Sequence, residues 1–130
     1  INWELKQKRR IIYENEGAVA FCPYFSRSPF EVRIFPKKHL PYFESTFDGD
    51  LLYVAQALKK SLLALRKNIA DSDYNFFIHS SPLKQKNQYK HYHWHLEILP
   101  KATTWAGFEL STGVEINPID PDEAAKILRK

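Results

Sequence analysis

His91, His93 and His95 alternate with Tyr92 and Trp94, and the segment continues as Leu96-Glu97-Ile98-Leu99-Pro100. Three of the chain's five histidines and a carboxylate therefore fall in one short stretch of alternating pattern. In an extended strand successive side chains point to opposite faces. The spacing predicts a strand from His91 to Leu99 with His91, His93, His95 and Glu97 on one face. Tyr92, Trp94, Leu96 and Ile98 would pack on the other. A row of imidazoles beside a carboxylate can bind a metal, hold an anionic phosphate, or attack one. A neutral imidazole near its reference pKa of about 6.5 is a competent nucleophile toward phosphorus and a good leaving group afterwards. The plain alternative is a half-buried amphipathic strand with no chemistry.

The elements around this strand follow from pattern and punctuation. Ile11 to Glu14 and Ala18 to Cys22 read as two strands joined by a turn at Asn15-Glu16-Gly17. Glu31 to Phe35 is a third, entered through Ser28-Pro29 and ended by Pro36, and Tyr74 to His79 is a fourth. Leu51, Val54, Ala55, Leu58, Leu62, Leu65 and Ile69 recur at helical spacing, with Asp48 as the expected N-cap. Ser81 to Lys90 reads as a polar loop whose lysines at 84, 86 and 90 face water, and Gly107 to Leu110 and Val114 to Ile116 read as short strands. Asp120 as N-cap, Pro121 at the first helical position and Glu123 closing a capping box signal a C-terminal helix. The order argues for an α+β domain, a mainly antiparallel sheet with one long helix on a face.

The 130 residues suit a single domain, and 44% hydrophobic and 15% aromatic content is that of a globular chain. The net charge of +4 is spread along the chain, which argues against a nucleic-acid partner. Arg27, Arg33 and Lys37 are candidate phosphate contacts, but as isolated charges they read as solvated. Cys22 is the only cysteine, which rules out an internal disulfide and a complete zinc ribbon and points to the cytoplasm. No apolar run reaches membrane-spanning length, so no membrane partner is expected. The chain has no methionine, and it reads as a piece of something longer.

His93-Trp94-His95-Leu96-Glu97-Ile98-Leu99-Pro100 resembles the histidine-triad signature, H-φ-H-φ-H-φ-φ. Registering on Pro100 puts His95 at the nucleophile position and Glu97 where most members carry the last His. Cys22-Pro23-Tyr24-Phe25, Ser28-Pro29-Phe30-Glu31, Phe35-Pro36-Lys37-Lys38-His39, Ile78-His79-Ser80-Ser81-Pro82 and Gly107-Phe108-Glu109 narrow the match. Together they resemble the C-terminal half of the galactose-1-phosphate uridylyltransferases and related nucleotide-sugar phosphorylases, from about Glu4 to Arg129.

The resemblance implies a HIT-like fold and a hexose-1-phosphate nucleotidyltransferase acting on a nucleotide-sugar and a sugar 1-phosphate, as a homodimer. In that family a histidine of the N-terminal half, in H-P-H-x-Q, forms the nucleotidyl intermediate. His93 to Glu97 resembles that motif with Trp94 for Pro and Glu97 for Gln, and an ionised Glu97 would repel phosphate. By the same resemblance Phe108 and Glu109 contact the sugar, and His39, His79 and His93 are candidate ligands for zinc or iron. Two further readings stay open. In one, His95 is itself the nucleophile, with Glu97 beside it, of a histidine-triad hydrolase or an ADP-sugar phosphorylase. In the other, this half is a silent nucleotide-binding or dimerisation module.

Overall fold

Short apolar runs with every second side chain turned inward build one five-stranded sheet. The structure is a computed structural model and describes residues 1–69, 73–84 and 86–130. Its strands are β1 (Ile11–Glu14), β2 (Ala18–Phe21), β3 (Val32–Pro36), β4 (Tyr74–His79) and β5 (His95–Pro100). They lie in the order β1-β2-β3-β5-β4, each neighbouring pair antiparallel. The β1–β2 turn is held by Asn15, whose Oδ1 accepts from Gly17 N (3.1 Å) and Ala18 N (2.7 Å).

Helices α1 (Asn2–Gln7), α2 (Asp48–Asn68), α3 (Gly107–Thr112) and α4 (Pro121–Leu128) complete the domain. Ala18, Ala20, Val32, Ile34, Trp94, Leu96 and Ile98 share one core with Val54, Ala57 and Leu65 of α2 and Ala124, Ala125 and Leu128 of α4. The other sheet face starts a second cluster, in which Ile11, Val19, Phe21 and Phe35 meet Ile1 and Leu5. Buried Arg10 ties the ends together, donating to Glu4 Oε1 (2.6 Å) and to Asp122 Oδ1 (3.0 Å). Among the described residues no helix is long and apolar enough to cross a membrane. The sheet, the long helix on one face and the C-terminal helix are those expected of an α+β domain, while α1 adds a helix that the sequence pattern did not announce.

Five expectations are corrected. The histidine strand begins at His95, not His91: Tyr92 N bonds Tyr89 O (2.9 Å) and Trp94 N bonds Leu40 O (3.0 Å). The first bond closes a turn and the second ties Trp94 to the segment after β3, so residues 91–94 lie outside the strand ladder, although the His93 ring still packs on Phe35 (5.3 Å) beside His95. Gly107–Thr112 is a helix and not a strand, with Glu109 Oε2 accepting from Ala106 N (3.2 Å) at its start and Gly113 at φ 70° ending it. Val114 to Ile116 is likewise not a strand. Asp48 is the first helical residue rather than the cap, a place where its charge suits the helix dipole. Asp120 does cap α4, accepting from Asp122 N (2.8 Å), but Glu123 meets Lys126 Nζ (3.3 Å) instead of closing a box. In the expected loop, Gln85 and the side chain of Lys86 lie outside the described residues, and Lys86–Tyr89 forms a 3₁₀ turn.

Candidate functional site

The register of the last three strands assembles the site. Arg33 of β3 lies opposite Glu97 of β5, Glu97 opposite Phe77 of β4, and His95 opposite His79. Because Leu96 and Ile98 turn into the α2 core, His95 and Glu97 face the other side of the sheet with Arg33 and His79. The strand alternation inferred from sequence therefore holds from Trp94 onward.

His95 is fixed on three sides. Its Nδ1 donates to the His93 carbonyl (3.1 Å), which leaves the Nε2 lone pair uncommitted. Its ring lies between Phe35 (centroids 4.6 Å) and His79 (4.9 Å), both stacked. Burial pushes its pKa below the ordinary histidine value, so the ring is neutral at pH 7. Glu97 is 5% exposed. Its Oε2 sits 3.2 Å from His79 Nε2 and 3.4 Å from Arg33 Nε. Arg33 is held more closely by Glu31, which is fully buried: Nε and Nη2 both reach Glu31 Oε1 at 2.8 Å.

Among the described residues His79, His95 and Glu97 form a group whose ligand atoms all lie within 4.8 Å of one another. Two imidazoles, one of them held neutral, and a shielded carboxylate are the donors that zinc or iron accepts. The fit extends to charge. Two carboxylates, Glu31 and Glu97, face one guanidinium, so the acidic side chains outnumber the fixed positive charge, an arrangement that attracts a cation. The same charge opposes a phosphate.

The remaining sequence candidates sit elsewhere. His93 packs edge-on against Phe35 (5.3 Å), but its Nε2 donates to the Pro36 carbonyl (2.8 Å), which keeps it out of the group, and its ring adjoins that of His39 (5.0 Å). Burial lowers its pKa as well. Exposed His39 donates from Nε2 to Lys90 O (2.9 Å). So of His39, His79 and His93 the structure brings only His79 to the group, and joins it to His95 and Glu97. Phe108 is exposed on α3. Glu109 beside it lines a cavity of about 480 Å³ with Arg27, Lys101, Trp105, Glu115 and Phe77. Phe77 pairs with Glu97, so the cavity opens one residue pair from the histidines. Arg27, Arg33 and Lys37 prove to be paired, with Glu115, Glu31 and Glu14 respectively. Lys101 and Trp105 carried no signal in the sequence, since their role depends on the segment after β5 folding back over β4.

An antiparallel sheet that carries an imidazole–carboxylate group on the face away from its long helix defines the histidine-triad class of α+β domain. The chain belongs to the HIT domain family, whose model matches residues 4–103. It is 37% identical to ADP-glucose phosphorylase of Arabidopsis thaliana over 98% of its own length and 36% of that protein. A crystal structure of an ADP-glucose phosphorylase from that plant with bound ADP-glucose superposes with a TM-score of 0.87, over 98% of this chain and 42% of the other. Galactose-1-phosphate uridylyltransferase of Thermotoga maritima is 28% identical over 98% of this chain and 42% of that protein. The chain thus spans well under half the length of these relatives.

Proposed function

We propose that the chain is the metal-holding and sugar-phosphate-binding part of a hexose-1-phosphate nucleotidyltransferase. The observation that carries this reading is the convergence of His79, His95 and Glu97 on one sheet face. The likeness to ADP-glucose phosphorylase and to galactose-1-phosphate uridylyltransferase supplies the reaction class. Zinc or iron would be held by His79 Nε2, His95 Nε2 and a Glu97 oxygen. When bound it would cross-link β4 to β5 and add positive charge to that face. His95 contributes a neutral ring of fixed tautomer, Glu97 the anionic donor, and Phe35 the stack that keeps His95 in place.

The sugar phosphate belongs, in this proposal, to the cavity beside Glu109. Its size is that of a small-molecule pocket. Arg27 and Lys101 suit a phosphate, Glu109 suits sugar hydroxyls, and Trp105 offers aromatic surface to the ring, with Phe108 on α3 exposed next to Glu109 outside the cavity lining. The donor is a nucleotide-sugar, adenylyl before uridylyl given the 37% identity to ADP-glucose phosphorylase. We assign the enzyme to the cytoplasm as a homodimer.

A second reading has its own observation: the uncommitted Nε2 of His95 is also what a nucleophile needs. One experiment separates the two. Purified chain and its His79→Ala, His95→Asn and Glu97→Gln variants are assayed for bound metal. They are then incubated with ADP-glucose or UDP-glucose, quenched in alkali and weighed intact. Metal affinity falling by more than about tenfold in each variant, with no adduct, supports the metal reading. A nucleotidyl adduct on wild type, lost in His95→Asn, replaces it with the nucleophile reading.

A further inference from the structure

Glu97 Oε2 lies between His79 Nε2 at 3.2 Å and Arg33 Nε at 3.4 Å. Arg33 Nε lies 3.4 Å from Glu97 Oε2, too long for a strong charge-assisted hydrogen bond. The same guanidinium makes two contacts of 2.8 Å with Glu31 Oε1. Glu31 is itself locked, fully buried and accepting through Oε2 from Arg27 N at 2.5 Å. Arg33 is therefore positioned by Glu31 and not by Glu97. What it lends to Glu97 is charge at a fixed place, not orientation.

We infer that Arg33 is a built-in counter-charge for the metal centre, occupying the electrostatic place of the cation when the site is empty and opposing the cation when it binds. The inference rests on the metal reading of His79, His95 and Glu97 given above. Two consequences follow from the geometry. A buried carboxylate with no compensating charge is strongly destabilising, so the Arg33 guanidinium beside Glu97 and Glu31 stabilises the metal-free fold. A divalent ion held by Glu97 would then have the Arg33 guanidinium, whose Nε is 3.4 Å from Glu97 Oε2, as a cationic neighbour. The repulsion lowers affinity and leaves the metal exchangeable rather than sealed in. The alternation of β3 also makes this a device of position: Val32 and Ile34 face the α2 core, so only Arg33 and Phe35 reach the site from that strand.

The test compares wild type with Arg33→Gln and Arg33→Lys. Zinc and, under anaerobic conditions, iron(II) are titrated against a chromogenic chelator, and melting temperature is measured with and without metal. Lysine retains a charge for Glu31 but cannot span two carboxylates, so it keeps the measurement possible where the glutamine variant folds poorly. Removing Arg33 is expected to tighten divalent binding about tenfold, the size of a water-screened repulsion between a divalent ion and a guanidinium at contact range. The lysine variant should fall between. The metal-free melting temperature should drop and the metal-induced rise should grow, because the cation then supplies the missing compensation. Equal or weaker metal binding in both folded variants, with wild type still binding, overturns this inference alone. Failure of wild type to bind either metal overturns the metal reading and the inference with it.

Discussion

At the level of single residues the site depends on small differences between identical side chains. His93 and His95 are two positions apart and both half-buried, yet one points Nε2 at the Pro36 carbonyl and the other leaves Nε2 toward His79 and Glu97. The sequence shows the histidines but not this division, because it is set by long-range contacts with residues of β3. Cys22 illustrates the opposite case. As the only thiol it invites a metal or redox role, but it is fully buried in the α2-side core, away from the imidazoles. Burial, with the nearby Glu31 carboxylate adding to it, pushes its pKa up to about 12. The thiolate is the reactive form, so Cys22 is expected to be inert in the native chain. Iodoacetamide at pH 8 should leave it unmodified for hours and label it fully in denaturant. Rapid native labelling, read by intact mass, would show that the core around Cys22 opens readily.

At the level of elements, the strands carrying strict alternation were legible and the joints between them were not. β1 and β4 have the boundaries expected from pattern, and β2 and β3 shift by a residue. β5 starts late because Trp94 takes its backbone partner from Leu40 and not from a strand neighbour. α3 escaped notice because six residues show too little of a 3.6-residue period, and the device that starts it is a local side-chain bond. The sheet end holding His93 is tied by another such bond, from Lys37 Nζ beyond β3 to Glu14 Oε1 on β1 at 2.8 Å. The hydrogen bond from Lys37, reinforced by its charge and by Lys8, holds the Glu14 carboxyl below its ordinary value. A depressed folded-state pKa contributes stability above the unfolded value of about 4.3 and loses it as pH falls through the lower, folded value. Lys37→Ala should therefore lower stability at pH 7 by about 0.5–1 kcal/mol, the scale of a partly exposed pair. The deficit should shrink as both carboxyl states become protonated, toward pH 3. Urea melts of both proteins across that range check it; a deficit unchanged with pH would mean that Lys37 acts through packing.

At the level of the whole chain, the strand that carries His79 is an edge of the sheet among the described residues, and its large apolar side chains are exposed. Tyr74, Phe76, Phe77 and Ile78 are 36–50% exposed, and Tyr74 to Ile78 includes no charged residue. Exposed edges are ordinarily protected by lysine, proline or a bulge, so an uncharged apolar one is suited to pairing with another strand. A second copy of the chain fits by symmetry. With a two-fold axis through Phe77 and normal to the sheet, antiparallel pairing would set Phe76 against Ile78 and Asn75 against His79, each pair on one face. No like charges would meet, and the metal-side faces of both copies would lie on the same side of one continuous sheet. This is the form in which we propose the homodimer, and Ile78 tests it because it lies on the edge but outside the metal group and the cavity. Ile78→Lys places a charge against Phe76 of the other copy and is expected to weaken dimerisation by tenfold or more in sedimentation equilibrium. Zinc affinity should stay within about threefold, since the variant removes no ligand. Wild type that sediments as a monomer at tens of micromolar would show that β4 is not a self-pairing edge, and a dimer indifferent to Ile78→Lys would place the contact on another surface.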